Sequence, residues 1–483
     1  MKLKSLMGDF IAYTFNSILL KILSIITLPI LTRIFSVDEY GAIETISSSI
    51  ALLPTFIGLG YDVAVLKELV NNKDQEQRQK TVTTISYFLS IWGGVVIVAG
   101  ILFSNNISLI LFGTADYSTI IKYALFLTYA NLFSGLSVQL LRVEFRKKAF
   151  MVVSIGQSVC QYAAIIFAVA ILKSGIEGYF QASLVTTIIW SIIGLMLNQS
   201  LFHGKFDLHI LKRLICFGVP IMISSLAYWV FNLSDRLVLT HFTNLEQTGL
   251  YSMAVKMTSI LTLVATAFGQ AWTPRAYEIY ASEPDKYSEF METLHPILMS
   301  FFVFIALINV AVGRLMLVLF STQNYLSSLY IMIPLAFSAV FQCMSKFVSM
   351  GIYFKNRTAN IAKNTWISAI VNFGINIFFM KKYGAIVGGV STLISYIYLY
   401  TVYYIMTCRY LKSKPVIIKP IIPVVIGMLI TAIINGIKIN NIFLDAIIKI
   451  LITFIYPILL LNTHIISLDK IRGFKKNIYK GGG

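Results

Sequence analysis

Charged residues are scarce in this sequence. Asp, Glu, Lys and Arg together make up 12% of the 483 residues, hydrophobic residues make up 57%, and the mean hydropathy is +0.78. Soluble domains carry about twice this charged fraction. The composition excludes an ordinary water-soluble protein and predicts an integral membrane protein, because a surface so poor in charge needs lipid as its solvent.

Motifs for enzymatic or metal chemistry are also missing. The four cysteines form no Cys-x-x-Cys pair and lie in or beside apolar runs, so we expect free thiols and neither a metal nor another cofactor. There is no Walker A motif, no glycine-rich nucleotide loop and no extramembrane loop longer than about 20 residues. The first apolar run is too long for a cleavable signal peptide. The sequence therefore favours a transporter over an enzyme.

What the sequence has instead is a series of long apolar runs. A membrane-spanning helix needs about 20 such residues, and lipid-exposed backbone must satisfy its hydrogen bonds internally, so these runs predict helices. The predicted fold is all-α, with about 14 transmembrane helices. Their approximate spans are 10–35, 42–66, 81–103, 118–141, 151–172, 178–199, 214–242, 248–271, 293–320, 326–353, 361–380, 385–407, 416–437 and 442–466.

The loop charges predict an orientation for these helices. The net charge is +18, but the basic residues form no single face or tail of the kind that binds nucleic acid. Twenty-seven lysines and arginines lie in one set of alternate loops, whereas only Lys173, Lys381, Lys382 and Lys438 lie in the opposite set. Such an asymmetry predicts that both termini are cytoplasmic, with anionic lipid headgroups beside the basic loops.

A short internal repeat suggests how the helices are grouped. Thr32–Gly41 and Thr240–Gly249 share Thr and Gly at their ends, and similar residues between them, at an offset of 208 residues. Each segment joins the first two helices of a six-helix block, although chance similarity between two turns is the competing explanation. We therefore predict two parallel lobes, 1–200 and 201–412, around a central cavity, with two additional helices and a cytoplasmic tail in 413–483.

Several ionisable residues fall inside the predicted spans, where each costs about 2.5–3.5 kcal/mol at the membrane centre. Lys21, Lys256 and Lys346 are too deep to reach the interface easily, and the Asp235–Arg236 pair lies within the seventh span. For Asp235–Arg236 a purely structural ion pair is an equal alternative. Glu44, Arg33, Lys122, Arg314 and Asp62 lie closer to span ends, where side chains extend to the interface.

Polar side chains recur every three or four residues along the same helices, so they share helix faces. Helix packing or bonding to the preceding turn explains many of these residues. The candidates for lining a cavity are Ser17, Asn232, Gln342 and Asn372. With Lys21, Arg236, Lys256 and Lys346 as a cationic cluster, such a cavity would bind an anion such as a phosphate or pyrophosphate and present polar groups to sugar hydroxyls.

The sequence resembles the polysaccharide and O-antigen flippases, a family within the superfamily that also contains multidrug antiporters and the lipid II flippase. The resemblance covers nearly the whole chain, and its motifs are only moderately specific when taken together. They are Asn16 through Leu28, Pro29 and Thr32 to Phe35-Ser-Val-Asp-Glu-Tyr-Gly41; Phe217-Gly-Val-Pro-Ile-Met-Ile-Ser-Ser225; Asn232-Leu-Ser-Asp-Arg236; and Gly249-Leu-Tyr-Ser252 with Lys256.

This resemblance implies a multi-pass protein of the bacterial cytoplasmic membrane that moves an undecaprenyl-pyrophosphate-linked oligosaccharide outward by alternating access. It implies polysaccharide polymerase machinery as a partner, and it places Lys21, Arg236 and Lys256 in a cationic cavity. Asp62 or Asp235 are the candidates for ion coupling, with membrane potential as the other energy source. A single lysine in the first helix, instead of an arginine cluster, departs from the lipid II flippases.

Two alternatives stay open on the sequence alone. A multidrug or cation antiporter of the same superfamily would favour acidic cavity residues, whereas bases outnumber acids here. A membrane polysaccharide polymerase would need a long external loop with Arg and His, and the predicted external loops are short and nearly free of both.

Overall fold

The computed structural model describes residues 3–72, 74–282, 284–413, 418–437 and 439–462, with the side chains of 3–18, 285, 286 and 462 outside this description. Throughout these residues the secondary structure is helical, and they contain no β-strand. The all-α prediction is confirmed. The predicted cavity residue Ser17 belongs to the side chains that lie outside the description.

The chain divides into two compact units, Met1–Gly249 (unit 1) and Leu250–Gly483 (unit 2). Unit 1 contains helices α1 to α10 and the start of α11. Their bounds are α1 (Leu3–Ile34), α2 (Val37–Ile50), α3 (Leu53–Gly58), α4 (Tyr61–Asn71), α5 (Gln75–Leu102), α6 (Ser104–Phe112), α7 (Ser118–Val143), α8 (Lys147–Ile166), α9 (Gly175–Leu197), α10 (Leu208–Phe242) and α11 (Leu245–Ser282).

Unit 2 holds the rest of α11 and nine further helices. They are α12 (Pro284–Ala311), α13 (Gly313–Phe320), α14 (Ser328–Val348), α15 (Met350–Phe354), α16 (Thr358–Tyr383), α17 (Ile386–Tyr410), α18 (Ile418–Gly436), α19 (Ile442–Thr453) and α20 (Ile455–Asn462). The six-helix lobe boundaries at 200 and 412 stay predictions. Helix α10, which would open the second lobe, packs against α2 to α6 within unit 1.

Twelve stretches of helix in the described residues are long and apolar enough to cross a membrane. Each coincides with one of the predicted spans, and the two remaining predicted spans are the long helices α1 and α16. The protein is thus a multi-pass membrane protein. The four cysteines are free thiols, with Cys343 and Cys408 buried and Cys160 and Cys216 exposed.

The predicted second span, 42–66, is not one continuous helix. It breaks after α2 and again at Leu59 and Gly60, whose φ angles of +47° and +74° lie in the left-handed region. A side chain at Gly60 would come within 2.4 Å of the backbone oxygen of Gly218, so only glycine fits there. The break places Asp62 at the start of α4, so Asp62 and Glu44 do not lie on one continuous helix.

The two repeated segments begin their helices in the same way. Ser36 precedes α2 and forms a capping box with Glu39, in which each side chain bonds the other's backbone N–H. At the equivalent position in the second segment, Asn244 accepts from the backbone N–H of Gln247, which is the counterpart of Glu39. The repeat therefore specifies two helices with equivalent starts.

These two helix starts also pack against each other through their glycines. A side chain at Gly41 would come within 2.1 Å of the backbone oxygen of Leu245, and one at Gly249 within 2.2 Å of the oxygen of Val37. Because Val37 and Leu245 are equivalent in the repeat, the two contacts are related by exchange of the segments, as in a two-fold interface. The glycines allow the starts of α2 and α11 to cross in backbone contact.

We expect Gly41→Ala to destabilise the protein by about 1–3 kcal/mol, because the added methyl group cannot fit without displacing backbone. Gly374→Ala in α16 is the matched control, since a side chain there meets nothing within 4 Å and alanine favours a helix by about 0.5–1 kcal/mol. Thermal unfolding of both variants in detergent measures the difference. Equal midpoints would show that the glycine crossing is not a tight contact.

In unit 2, the C-terminal helices α18 and α19 pack on α12, and α19 also contacts α13. A buried ion cluster lies at this contact. Asp445 of α19 is 3.0 Å from the Nζ of Lys449 and 3.8 Å from the Nη1 of Arg314 on α13, which also donates to the carbonyl of Ile439. Arg314, expected to extend to the interface from a span end, instead fastens α19 and its preceding loop to α13.

Removing one charge of this cluster should destabilise the protein more than removing the opposite charge as well. We expect Asp445→Asn to destabilise the protein by about 3–5 kcal/mol, because it leaves buried Lys449 without a counter-charge. The double variant Asp445→Asn with Lys449→Met should recover most of that loss, since an apolar replacement of a buried pair is nearly neutral. Thermal midpoints of the single and double variants provide the measurement. A double variant no more stable than the single would contradict this account.

Candidate site of intramembrane charges

The best-defined polar site in unit 1 is an ion pair between α2 and α10. Glu44 lies 3.2 Å from the Nε of Arg236, and their side chains are 22% and 7% exposed. Arg236 also donates weakly to the carbonyl of Asn232, at 3.5 Å, one turn earlier on α10. The expectation that Glu44 extends to the membrane surface is therefore wrong, because it meets an opposite charge inside the protein.

Tyrosines connect this ion pair with the face of α1 that carries Lys21. Tyr179 of α9 lies within electrostatic range of Glu44 and of Tyr162 on α8, and Tyr162 hydrogen-bonds with Ser24 of α1. Ser24 lies one turn from Lys21, which is half-buried and has partners of its own. Lys21 and Arg236 thus belong to one polar region of unit 1.

Asp235 and Asn232 flank Arg236 on α10. Asp235 is almost fully buried and is engaged with other groups. The side-chain amide of Asn232 donates to the carbonyl of Tyr228, at 2.9 Å. Two acidic residues, Glu44 and Asp235, therefore accompany Lys21 and Arg236 in this region of unit 1.

A hydroxyl chain lies between this region and the glycine crossing. The Oγ1 atoms of Thr45 and Thr240 are 2.7 Å apart, and those of Thr240 and Thr248 are 3.0 Å apart. Trp229 of α10 donates to the carbonyl of Ser48 on α2 at 3.0 Å. These bonds hold α2 and α10 at a fixed distance, so the spacing of Glu44 and Arg236 is set by packing on both sides.

The two predicted lysines of unit 2 lie in surroundings that differ from those of Arg236. Lys256 is half-buried on α11 and Lys346 is exposed on α14, and in the described part of unit 2 no carboxylate forms an ion pair with either. The methylene chain of Lys346 packs near Gly269. Thirteen residues of α11 separate Gly269 from Lys256, about 20 Å of helix, so the two lysines lie at different depths.

The remaining predicted residues of unit 2 are engaged in helix packing. Gln342 donates to the hydroxyl of Tyr396 at 2.6 Å, from α14 to α17. Asn372 of α16 is fully buried and donates to Ser391 of α17 at 3.2 Å. The hydroxyls of Ser259 and Ser349 bond to the carbonyls of the two lysines, three residues earlier. These contacts fit the packing interpretation of the polar stripes.

The structure places Asp62 at the exposed start of α4, where its backbone carbonyl accepts a hydrogen bond from Gln139. The interruption of the helix at Leu59 and Gly60 separates Asp62 from the Glu44–Arg236 pair. Sequence reasoning missed Glu44, Tyr162 and Tyr179 as members of the site. The only available signal was that opposite charges occur within the second and seventh spans, which says nothing about whether those helices touch.

Comparison with known proteins decides the family. The sequence profile described as "Polysaccharide biosynthesis protein" matches residues 6–280, which is more than half of the chain. The chain belongs to the polysaccharide biosynthesis protein family. No curated protein sequence matches this family member. The matched region includes Lys21, Glu44, Arg236 and Lys256.

Solved structures show that this polysaccharide biosynthesis protein shares its fold with known transporters. The lipid II flippase MurJ in an inward closed conformation has a TM-score of 0.70 at 14% identity, over 94% of this chain and 100% of its own. An inward-facing multidrug resistance MATE transporter has a TM-score of 0.63 at 12% identity, over 81% and 94%. A variant of the Vibrio cholerae MATE transporter VcmN scores 0.53 at 11% identity, over 85% and 97%.

Removing the charge of Lys256 and removing that of Arg236 should have different effects on stability. We expect Lys256→Met to leave the thermal midpoint unchanged or raised, because it removes a half-buried charge without a counter-charge in the described part of unit 2. Arg236→Met should lower stability by about 1–3 kcal/mol, because Glu44 then loses its partner. Thermal unfolding in detergent is the measurement. A large loss in the lysine variant would indicate a structural role for Lys256.

Proposed function

We propose that the protein is a flippase that moves an undecaprenyl-pyrophosphate-linked oligosaccharide from the cytoplasmic to the outer leaflet during surface polysaccharide assembly. The observation that carries this proposal is the family match, which includes the helices bearing Lys21, Arg236 and Lys256. The fold shared with the lipid II flippase over 94% of this chain supports the proposal.

The depths of the basic residues support an anion as the part of the substrate that the protein binds. Lys21 lies about 20 Å along α1 from the α1–α2 turn, and Lys256 about 16 Å along α11 from the α10–α11 turn. Those turns meet at the glycine crossing, so both lysines would lie near the bilayer centre. An ionisable residue held at that depth is expected to serve a ligand or pathway, and Lys256 has no carboxylate partner in the described part of unit 2.

The remaining basic residues mark a route across the membrane. Lys346 lies close to the end of α14 that the loop charges place on the cytoplasmic side. Arg236 lies about 9 Å from the C-terminal end of α10, which the loop charges place on the outer side. Within unit 2 a pyrophosphate would meet Lys346 before Lys256, and within unit 1 it would meet Lys21 before Arg236. Alternating access of two lobes would move it along this series, while the lipid tail stays in the bilayer.

A multidrug or cation antiporter is the second candidate, favoured by the fold shared with MATE transporters and by the acidic residues Glu44 and Asp235 in unit 1. Localisation in the bacterial cytoplasmic membrane, cytoplasmic termini and association with polymerase machinery belong to the flippase proposal. Because the sequence offers no catalytic motif, we propose transport without chemical conversion of the substrate.

The proposal predicts the behaviour of a triple variant. In proteoliposomes containing a lipid-linked oligosaccharide, combined Lys21→Ala, Lys256→Ala and Lys346→Ala should reduce translocation at least about tenfold, since each charged hydrogen bond to phosphate contributes about 1.5–3 kcal/mol. Lys381→Ala, at the exposed end of α16, is the matched control. Normal translocation in the triple variant would end the cationic-site account. Efflux of a cationic drug without oligosaccharide translocation would favour the antiporter.

A further inference from the structure

The ion pair between Glu44 and Arg236 raises a question about how the proposed anion reaches Arg236. The guanidinium is 7% exposed and its Nε lies 3.2 Å from a Glu44 oxygen. Inside a protein, an anion that approaches this pair meets the carboxylate at close range, and repulsion between like charges is strong where solvent screening is low. Arg236 therefore cannot attract a phosphate at full strength while Glu44 remains in place.

We propose that Glu44 is a built-in competitor of the transported anion: it occupies Arg236 when the site is empty, yields to a phosphate group during transport, and displaces that phosphate at the end of the cycle. This inference rests on the proposed function, and it assigns to Glu44 a role in releasing the substrate. It concerns only residues that unit 1 itself brings together.

The position of the pair fits release better than uptake. Glu44 lies about 10 Å along α2 from the α1–α2 turn, and Arg236 about 9 Å from the end of α10 at the neighbouring turn. The loop charges place these turns on the outer side of the membrane. A phosphate that has passed Lys21 would thus meet Arg236 last, where a cation without a competitor would retain it.

The surroundings of Glu44 allow such an exchange. Its side chain is 22% exposed, whereas that of Arg236 is 7% exposed and donates weakly to the carbonyl of Asn232. Tyr179 lies within electrostatic range of the carboxylate. Asp235, which precedes Arg236 on α10, is almost fully buried and has interactions of its own.

Binding of inorganic pyrophosphate to the full-length protein in nanodiscs, measured by calorimetry, tests this exchange. Glu44→Gln keeps the shape of the side chain and removes the competing charge, so we expect it to bind pyrophosphate about tenfold more tightly than the original protein. Glu177→Gln, an exposed change at the start of α9, is the matched control and should leave the affinity unchanged. Equal or weaker binding by Glu44→Gln would overturn the proposal.

Transport kinetics provide a second readout that a structural role would not produce. In proteoliposomes, Glu44→Gln should lower both KM and kcat for the lipid-linked oligosaccharide, because release becomes slow as binding becomes tight. A variant that merely damaged the fold would lose kcat without gaining affinity. If Glu44→Gln does not fold, Glu44→Asp, which withdraws the carboxylate by one methylene, must tighten pyrophosphate binding by a smaller factor, and failure to do so overturns the proposal.

A double-mutant cycle assigns the effect to Arg236. In an Arg236→Gln background, Glu44→Gln should no longer tighten binding, since the two residues act on the same anion position. An undiminished gain would show that Glu44 does not compete for Arg236. Tighter pyrophosphate binding by Glu44→Gln without oligosaccharide translocation by the original protein would uphold the exchange and refute the proposed function. Normal translocation without that gain would do the reverse.

Discussion

The constraint on which this structure depends is that the hydrocarbon of a bilayer offers no hydrogen bonds and little stabilisation for charge. Every polar group within the spans must therefore be satisfied by the protein itself. Helices satisfy the hydrogen bonds of the backbone N–H and C=O groups. The hydroxyls of serine and threonine repeatedly bond to the carbonyl of the preceding turn. Among the described residues, some of the remaining charged groups are paired, as Glu44 and Arg236 are, and we assign the deep lysines to a ligand.

The paired and unpaired charges have different physical consequences. The cluster of Asp445, Lys449 and Arg314 joins α19 to α13, and its opposite charges contact one another within the protein. Lys256 has no carboxylate partner in the described part of unit 2, so its charge is a cost to folding that a substrate anion would offset. Arg236 lies between these cases, because its partner Glu44 retains some exposure and, in our proposal, leaves it during transport.

Backbone contacts at glycine explain why the helices that carry these charges come so close. Gly41 and Gly249 allow α2 and α11 to cross, and Gly60 and Gly218 allow the break before α4 to lie against α10. Within lipid the hydrophobic effect does not drive one helix onto another. Small residues instead allow close backbone packing, which stabilises the contact. Both pairs include motif residues noticed in the sequence, and their shared role is close approach of backbones.

The sequence by itself determined the membrane class, the helical fold, the approximate spans and the equivalence of the two repeated segments. Each of these follows from local patterns: runs of apolar residues, capping residues and loop charge. Only the tertiary structure decided that Glu44 pairs with Arg236, that Asn372 is used in packing α16 against α17, and that Asp62 is turned away by the break at Gly60. The physical reason is that a span's sequence records its preference for lipid but not the rotation and neighbours of its helix, on which every charge pairing depends.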